Sequence, residues 1–196
     1  MKFVTLKLVA ISFFIFGLVF SVCTEPKPKE PILTPPISVR FVVDGETKTF
    51  YYNPNFLAEF VDPGQSSAFQ KSGQSLKTKS GWVLHNSKNI DKNLIQRNKN
   101  IQSKITEVYS ISPDQTNALV VFPGTLIVRF LSKPSEPELD KIQLEQGIRL
   151  KKILHGTLVT FSIPAGPYFE DFVEKMKAYP NISEVYPDTA VEKALK

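Results

Sequence analysis

A single cysteine, Cys23, stands among the 196 residues, so no intrachain disulfide can tie this chain and its stability must come from packing. Histidine is nearly as scarce. His85 and His155 lie about 70 residues apart, which leaves no metal-ligand spacing and no evident Cys-His or Ser-His-Asp grouping. The nine glycines form no phosphate-cradling pattern. This inventory points to no cofactor and no metal. Outside residues 8–22 no apolar run approaches the roughly 20 residues that span a bilayer. What the chain does have is 42% hydrophobic residues, including 15 Phe, enough to bury a core and fold as a globular protein.

The N-terminus carries the strongest signal. Lys2 and Lys7 form a positive region, and Leu8 to Val22 is an uncharged apolar stretch that ends at Cys23, so residues 1–22 are expected to be a secretory signal peptide. A retained Leu8–Val22 segment acting as an uncleaved anchor is the alternative. Phe20-Ser21-Val22-Cys23 resembles the lipobox of bacterial lipoprotein precursors, with Phe20 and Val22 where that family usually has Leu and Gly or Ala. The resemblance implies a lipid on Cys23 that holds an exported protein in the cell envelope, and the other reading is a free thiol within an ordinary signal. Residues 23–36 hold five prolines among Lys and Glu, which makes them an extended, semi-rigid tether.

Folded sequence begins at Ile37. In region 37–64, Val39–Val43 and Thr47–Tyr52 flank Asp44-Gly45-Glu46, so a β-hairpin with a tight turn is expected. Asn53-Pro54-Asn55 then punctuates, and Phe56–Val61 reads as a third strand. Region 65–105 is polar and carries eight cations against Asp91 alone. Such a stretch can mark nucleic acid, an anionic membrane surface or an acidic partner, and in an exported protein no nucleic acid partner is expected. Ile90, Leu94, Ile101 and Ile105 recur at roughly helical spacing, so 88–104 is expected to form one amphipathic helix whose charges face water.

Region 106–196 is the most informative. Strands are expected at Glu107–Ile111, Ala118–Phe122 and Leu126–Leu131, then a helix with Ser135 and Glu138 at capping-box spacing that buries Leu139 and Ile142 and closes at Gly147. Ile148–Leu154 and Thr157–Ile163 read as strands joined at His155-Gly156. Pro167 opens a second helix with Phe169, Phe172, Val173 and Met176 on one face, and Ile182–Tyr186 is the last strand. The order from Leu126 is β-α-β-β-α-β. The expected fold class is therefore α+β: a ferredoxin-like C-terminal module, with two helices on one face of a four-stranded antiparallel sheet, preceded by a β-rich region. Residues 123–188 are expected to fold alone.

Within this region, Pro123-Gly124-Thr125-Leu126-Ile127-Val128-Arg129-Phe130, Glu145–Leu150, Thr160–Gly166 and Tyr179–Asp188 together resemble the N-terminal prodomain of subtilisin-like serine proteases over about 70 residues. The catalytic motifs of that family (Asp-Ser/Thr-Gly, His-Gly-Thr-His, Gly-Thr-Ser-Met-Ala) do not occur, so the chain is read as not an enzyme. The resemblance implies a subtilisin-like serine protease as partner, met by the sheet face that the helices leave open.

Strand alternation puts Ile127, Arg129, Leu131, Leu158, Thr160 and Tyr186 on that open face. Asp188 and the tail through Leu195 and Lys196 would extend into the substrate cleft. Two functions compete. One is a membrane-tethered protease inhibitor or folding chaperone; the other is an envelope lipoprotein with a binding or structural role unrelated to proteases. The N-terminal reading is open to a direct check. The mature protein should partition into detergent, and Cys23→Ala should release it to the aqueous phase. An Ala variant that stays with membranes at full mass would indicate an uncleaved anchor instead.

Overall fold

The computed structural model describes residues 34–69, 75–77, 81–115 and 118–192. The segments expected to be signal peptide and, up to Leu33, tether, with Cys23, Leu195 and Lys196, lie outside the described residues. Thr34–Lys196 forms one compact unit of mixed α and β structure with antiparallel sheets. Among the described residues no helix is long and apolar enough to cross a membrane.

The chain enters the fold where Pro36 offers its carbonyl to the buried Tyr109 hydroxyl (3.1 Å) and Ile37 accepts from the Tyr52 N–H (2.9 Å). β1 (Ser38–Val43) and β2 (Glu46–Phe60) then form the expected hairpin, with Val43 opposite Glu46. Asp44 at φ 50° and Gly45 at φ 78° supply the two left-handed residues that a two-residue turn of this twist demands.

One expectation is corrected here. Asn53-Pro54-Asn55 does not end a strand, and β2 runs through it for 15 residues. The reason is a change of neighbours. β1 pairs with β2 only as far as Tyr51, β4 (Trp82–Asn86) begins pairing at Phe56, and the register against β5 (Ile105–Ser110) shifts between Tyr52 and Leu57. Pro54 therefore falls at a bulge where its missing N–H costs no ladder bond. The buried Asn53 side chain stabilises the bend, accepting from Asn55 N–H (3.1 Å) and donating to Ser110 Oγ (3.5 Å).

The first sheet is completed by β3 (Ser75–Lys77) on the outside of β4, β6 (Leu119–Val121) beside β5, and β11 (Ala190–Glu192) beside β6. Between β4 and β5 the single helix expected over 88–104 is replaced by a 3₁₀ turn (Ser87–Asn89) and two short helices, α1 (Lys92–Arg97) and α2 (Lys99–Gln102). Asn98 separates them. Its side chain accepts from the N–H groups of Asn100 and Ile101, so it caps α2 rather than continuing α1.

The second sheet has the order β10-β7-β9-β8, formed by β7 (Thr125–Phe130), β8 (Arg149–His155), β9 (Leu158–Ser162) and β10 (Ile182–Pro187), with every neighbour antiparallel. α3 (Glu136–Gln146) follows β7 and α4 (Glu170–Lys177) follows β9. Ser135 Oγ accepts from Glu138 N–H (3.3 Å) and Gly147 at φ 63° closes α3, as its sequence signals predict. α4 starts three residues after Pro167 rather than at it. Its deepest aromatic is Phe169 at the N-cap, while Phe172, expected at the centre of the apolar face, is half-buried.

The two sheets share a core. Phe41, Phe50, Tyr109 and Phe122 of the first region pack in one buried cluster with Leu126, Val128, Phe161, Ile142 and Phe169. Phe122 is its hub, with ring centroids 5.2 Å from Phe169, 5.4 Å from Tyr109 and 5.6 Å from Phe50. This continuity argues against the self-sufficiency expected of residues 123–188, since that segment alone would expose the faces of Phe169 and Leu126 that the first sheet covers.

The covalent joint between the sheets is a bent two-stranded ribbon: β6 passes into β7 while its partner β10 passes into β11. Gly124 sits at the bend with φ 75°, and a Cβ built there would lie 2.5 Å from the Ile163 carbonyl oxygen and 2.8 Å from Ala165 N. Those are backbone atoms that cannot swing away. Gly124→Ala should therefore cost at least about 2 kcal/mol in a denaturant titration, from the left-handed backbone and the clash together. Gly156→Ala, which meets open space at the β8–β9 tip, should stay within about 0.5 kcal/mol. Equal losses would mean that the bend relaxes around Gly124.

Candidate functional site

Pairing in the second sheet sorts its side chains as the alternation predicts. Leu126, Val128, Phe130, Val159, Phe161 and Val185 are buried in the same cluster as Leu139 and Ile142 of α3 and Val173 and Met176 of α4, so the helices cover that face. The candidate binding residues occupy the other. They are less exposed there than an open face suggests: Ile127, Arg129, Leu158 and Tyr186 are half-buried, and Thr160 is buried with its hydroxyl donating to the Lys152 carbonyl (3.1 Å). Burial pushes the Tyr186 phenol above its ordinary value. Just beyond β7, Leu131 stands clear at 69% exposure.

Arg129 is already occupied within the molecule. Its Nη1 lies 2.9 Å from Asp44 Oδ1 and 3.3 Å from Glu184 Oε2, and the Asp44 N–H donates to Glu184 Oε1 at 2.6 Å. Hydrogen bonding to Asp44 and the charge of Glu184 keep its guanidinium above its ordinary value. The β1–β2 turn is thus clamped to the edge of the second sheet. A groove of about 740 Å³ opens beside this clamp, floored by Phe41, Phe169, Val173 and Val185 and edged by α4. Arg129 is better described as a fastener between sheets than as a contact waiting for a partner.

The tail is also partly committed. Asp188 N–H donates to the Thr125 carbonyl (2.8 Å), and Ala190, Val191 and Glu192 pair with Val121, Val120 and Leu119. The expectation of an extended Asp188–Lys196 arm entering a cleft is corrected for residues 188–192: Asp188 is tied to Thr125 of the second sheet, and the backbone of Ala190–Glu192 completes the first sheet. Leu195 and Lys196 fall outside the described residues. Asn181, which carries a glycosylation sequon, is engaged too, accepting from Ser132 N–H and Oγ and donating to Glu138.

Sequence reasoning missed one polar cluster. Leu57 and Glu59 pair opposite His85 and Val83, so Glu59 and His85 share a face, and the segment after β2 folds over them. His85 is 1% and Glu59 4% exposed. His85 Nε2 lies 2.9 Å from Glu59 Oε2, the Ser67 hydroxyl donates to the same oxygen (2.5 Å), and Ala68 N–H donates to Oε1 (2.8 Å). The Phe69 ring stands edge-on to the imidazole at 5.3 Å. His85 Nδ1 is buried with no hydrogen-bond partner.

This is not a nucleophile and base. In such a grouping the imidazole bridges hydroxyl and carboxylate through its two nitrogens. Here hydroxyl and imidazole meet at one carboxylate oxygen; Ser67 Oγ also lies 3.3 Å from the same His85 Nε2, but its shorter bond is to Glu59, which holds the hydroxyl proton. The only hint in the sequence was a histidine directly after the apolar run Trp82–Leu84.

Against known proteins, no family model, no curated protein and no solved structure matches this chain.

The Glu59 clamp generates a pH prediction. Desolvation raises the Glu59 carboxyl, but the donors His85, Ser67 and Ala68 outweigh it and hold the group below its usual 4.5. A carboxyl lowered by folding adds stability that is complete above pH 4.5 and is lost as pH falls through the lower folded value. Thermal stability should therefore drop in acid, and Glu59→Gln should flatten that part of the profile. His85→Ala, which strands a buried carboxylate, should cost about 3–5 kcal/mol at neutral pH. An unchanged acid limb in Glu59→Gln would assign the drop to other carboxylates.

Proposed function

We propose that the protein is a membrane-tethered protein-binding module whose second sheet follows the ferredoxin-like plan and docks its partner through the helix-free face. The observation that carries this reading is the apolar character of that face: Ile127, Leu158 and Tyr186 half-buried, with Leu131 standing at 69% exposure beside them. An exposed apolar residue at the rim of a half-covered apolar surface favours a protein partner over solvent. The order β10-β7-β9-β8 with both helices on one side supports the ferredoxin-like plan. The resemblance to subtilisin propeptides makes a subtilisin-like serine protease the first partner to test, as an inhibitor or folding chaperone would meet it.

A second reading draws on the tail. Because Ala190–Glu192 are paired into the first sheet, the strand that a propeptide would thread into a cleft is withdrawn, which favours an envelope lipoprotein that binds something other than a protease. The two readings separate in one assay. Under the first, the purified protein inhibits a subtilisin-type protease at micromolar concentration and Leu131→Asp, tolerated by the fold because the side chain is exposed, weakens inhibition by about tenfold. No inhibition of several such proteases would reject the protease partner, and inhibition indifferent to Leu131→Asp would reject this face.

A further inference from the structure

We propose that the excursion from Ser87 to Lys104 is a docking surface for an anionic membrane. Its three helical turns contain no buried residue, which is an expensive way to connect β4 to β5 if connection were the only task. Ile90, Ile95 and Ile101 are half-buried, while Lys88, Lys92, Leu94, Arg97 and Lys99 are exposed. The acids that could neutralise this surface are committed elsewhere: Asp91 caps α1 by accepting from Asn93 N–H (2.9 Å), and Asp62 holds Lys104 (2.6 Å). Among the described residues Lys88, Lys92, Arg97 and Lys99 meet no carboxylate.

The chemistry of the patch selects the occupant. Four unpaired cations on long side chains around Leu94, an aliphatic side chain 38% exposed, are what a plane of anionic headgroups with an apolar layer beneath attracts. A single-stranded nucleic acid would be met by aromatic stacking platforms, and residues 87–104 contain no aromatic residue. An acidic protein would be met by a shaped recess, whereas Lys88, Lys92, Arg97 and Lys99 line neither the groove beside α4 nor the recess that Ser103 and Lys104 enter at the end of the segment. The inference does not depend on a lipid at Cys23, since it concerns only residues of the folded unit.

The test is flotation of residues 34–196, the compact unit, alongside the full chain, with vesicles of phosphatidylcholine alone and of equal parts phosphatidylcholine and phosphatidylglycerol. The 34–196 unit is expected to float with the phosphatidylglycerol vesicles only, and to be released as ionic strength rises and screens the contact. Reversing Lys92, Arg97 and Lys99 to Glu should weaken binding about a hundredfold or more, on the scale of one headgroup contact of about 1 kcal/mol per cation. Leu94→Ser should weaken it a few-fold. Circular dichroism melts should be unchanged in both variants because neither removes a buried residue. Equal binding to both vesicle types, or binding that survives the triple reversal, would overturn the proposal. So would equally strong capture by polyglutamate or heparin, which would mark a general polyanion surface. A failed tether reading would instead appear only as full chain and 34–196 behaving alike on phosphatidylcholine.

Discussion

Everything in this fold turns on the bend at Phe122-Pro123-Gly124. β6 and β11 lie in one sheet, β7 and β10 in the other, and the same pair of chain segments crosses between them side by side. A ribbon can bend this sharply only where one residue accepts a left-handed backbone and leaves no side chain in the corner, and Gly124 does both. The corner's backbone groups are then satisfied by the loop after β9, through Ile163 N–H to the Gly124 carbonyl and Gly166 N–H to the Phe122 carbonyl, each at 3.0 Å. With the bend set, Phe122 points into the space between the sheets, and Phe41, Phe50, Tyr109 and Phe169 close around it.

The polar interactions divide by burial, and burial sets their weight. Arg129, Asp44 and Glu184 fasten the β1–β2 turn at a largely wet surface, where such pairs are worth about 0.2–1 kcal/mol. The Glu59–His85–Ser67 cluster is dry, so its worth lies mainly in the penalty for losing a partner. Of the cations of the β4–β5 excursion, Lys104 pairs with Asp62, while Lys88, Lys92, Arg97 and Lys99 make neither kind of contact among the described residues. They sit on short helices that contain no fully buried residue and pack only through the half-buried Ile95 and Ile101.

A close reading of the sequence recovers local structure well. Asp44-Gly45 announces its turn, Ser135 and Gly147 bracket α3, and strand alternation in β7, β9 and β10 separates the helix-covered residues from the rest. Each depends on neighbours within a few residues. The misses share a different cause. Pro54 reads as a strand end unless one knows that β2 changes partners there; Asn98 competes for its own backbone and divides an apparently helical pattern. Phe172 and Phe169 are indistinguishable by spacing, and only the first sheet's approach decides which is buried deepest.

The candidate face was legible as a list of residues but not as a surface. Sequence alone determined the strand and helix order from Leu126 and which side of each strand is apolar, because these follow from composition and period. Tertiary structure decided that Arg129 is spent on Asp44 and Glu184, that Ala190–Glu192 belong to the first sheet, and that Glu59 and His85 meet in the interior. All three join residues distant in the chain, between 26 and 85 positions apart where side chains bond. No local propensity specifies such pairs; they exist because one bend brings two sheets onto a common core.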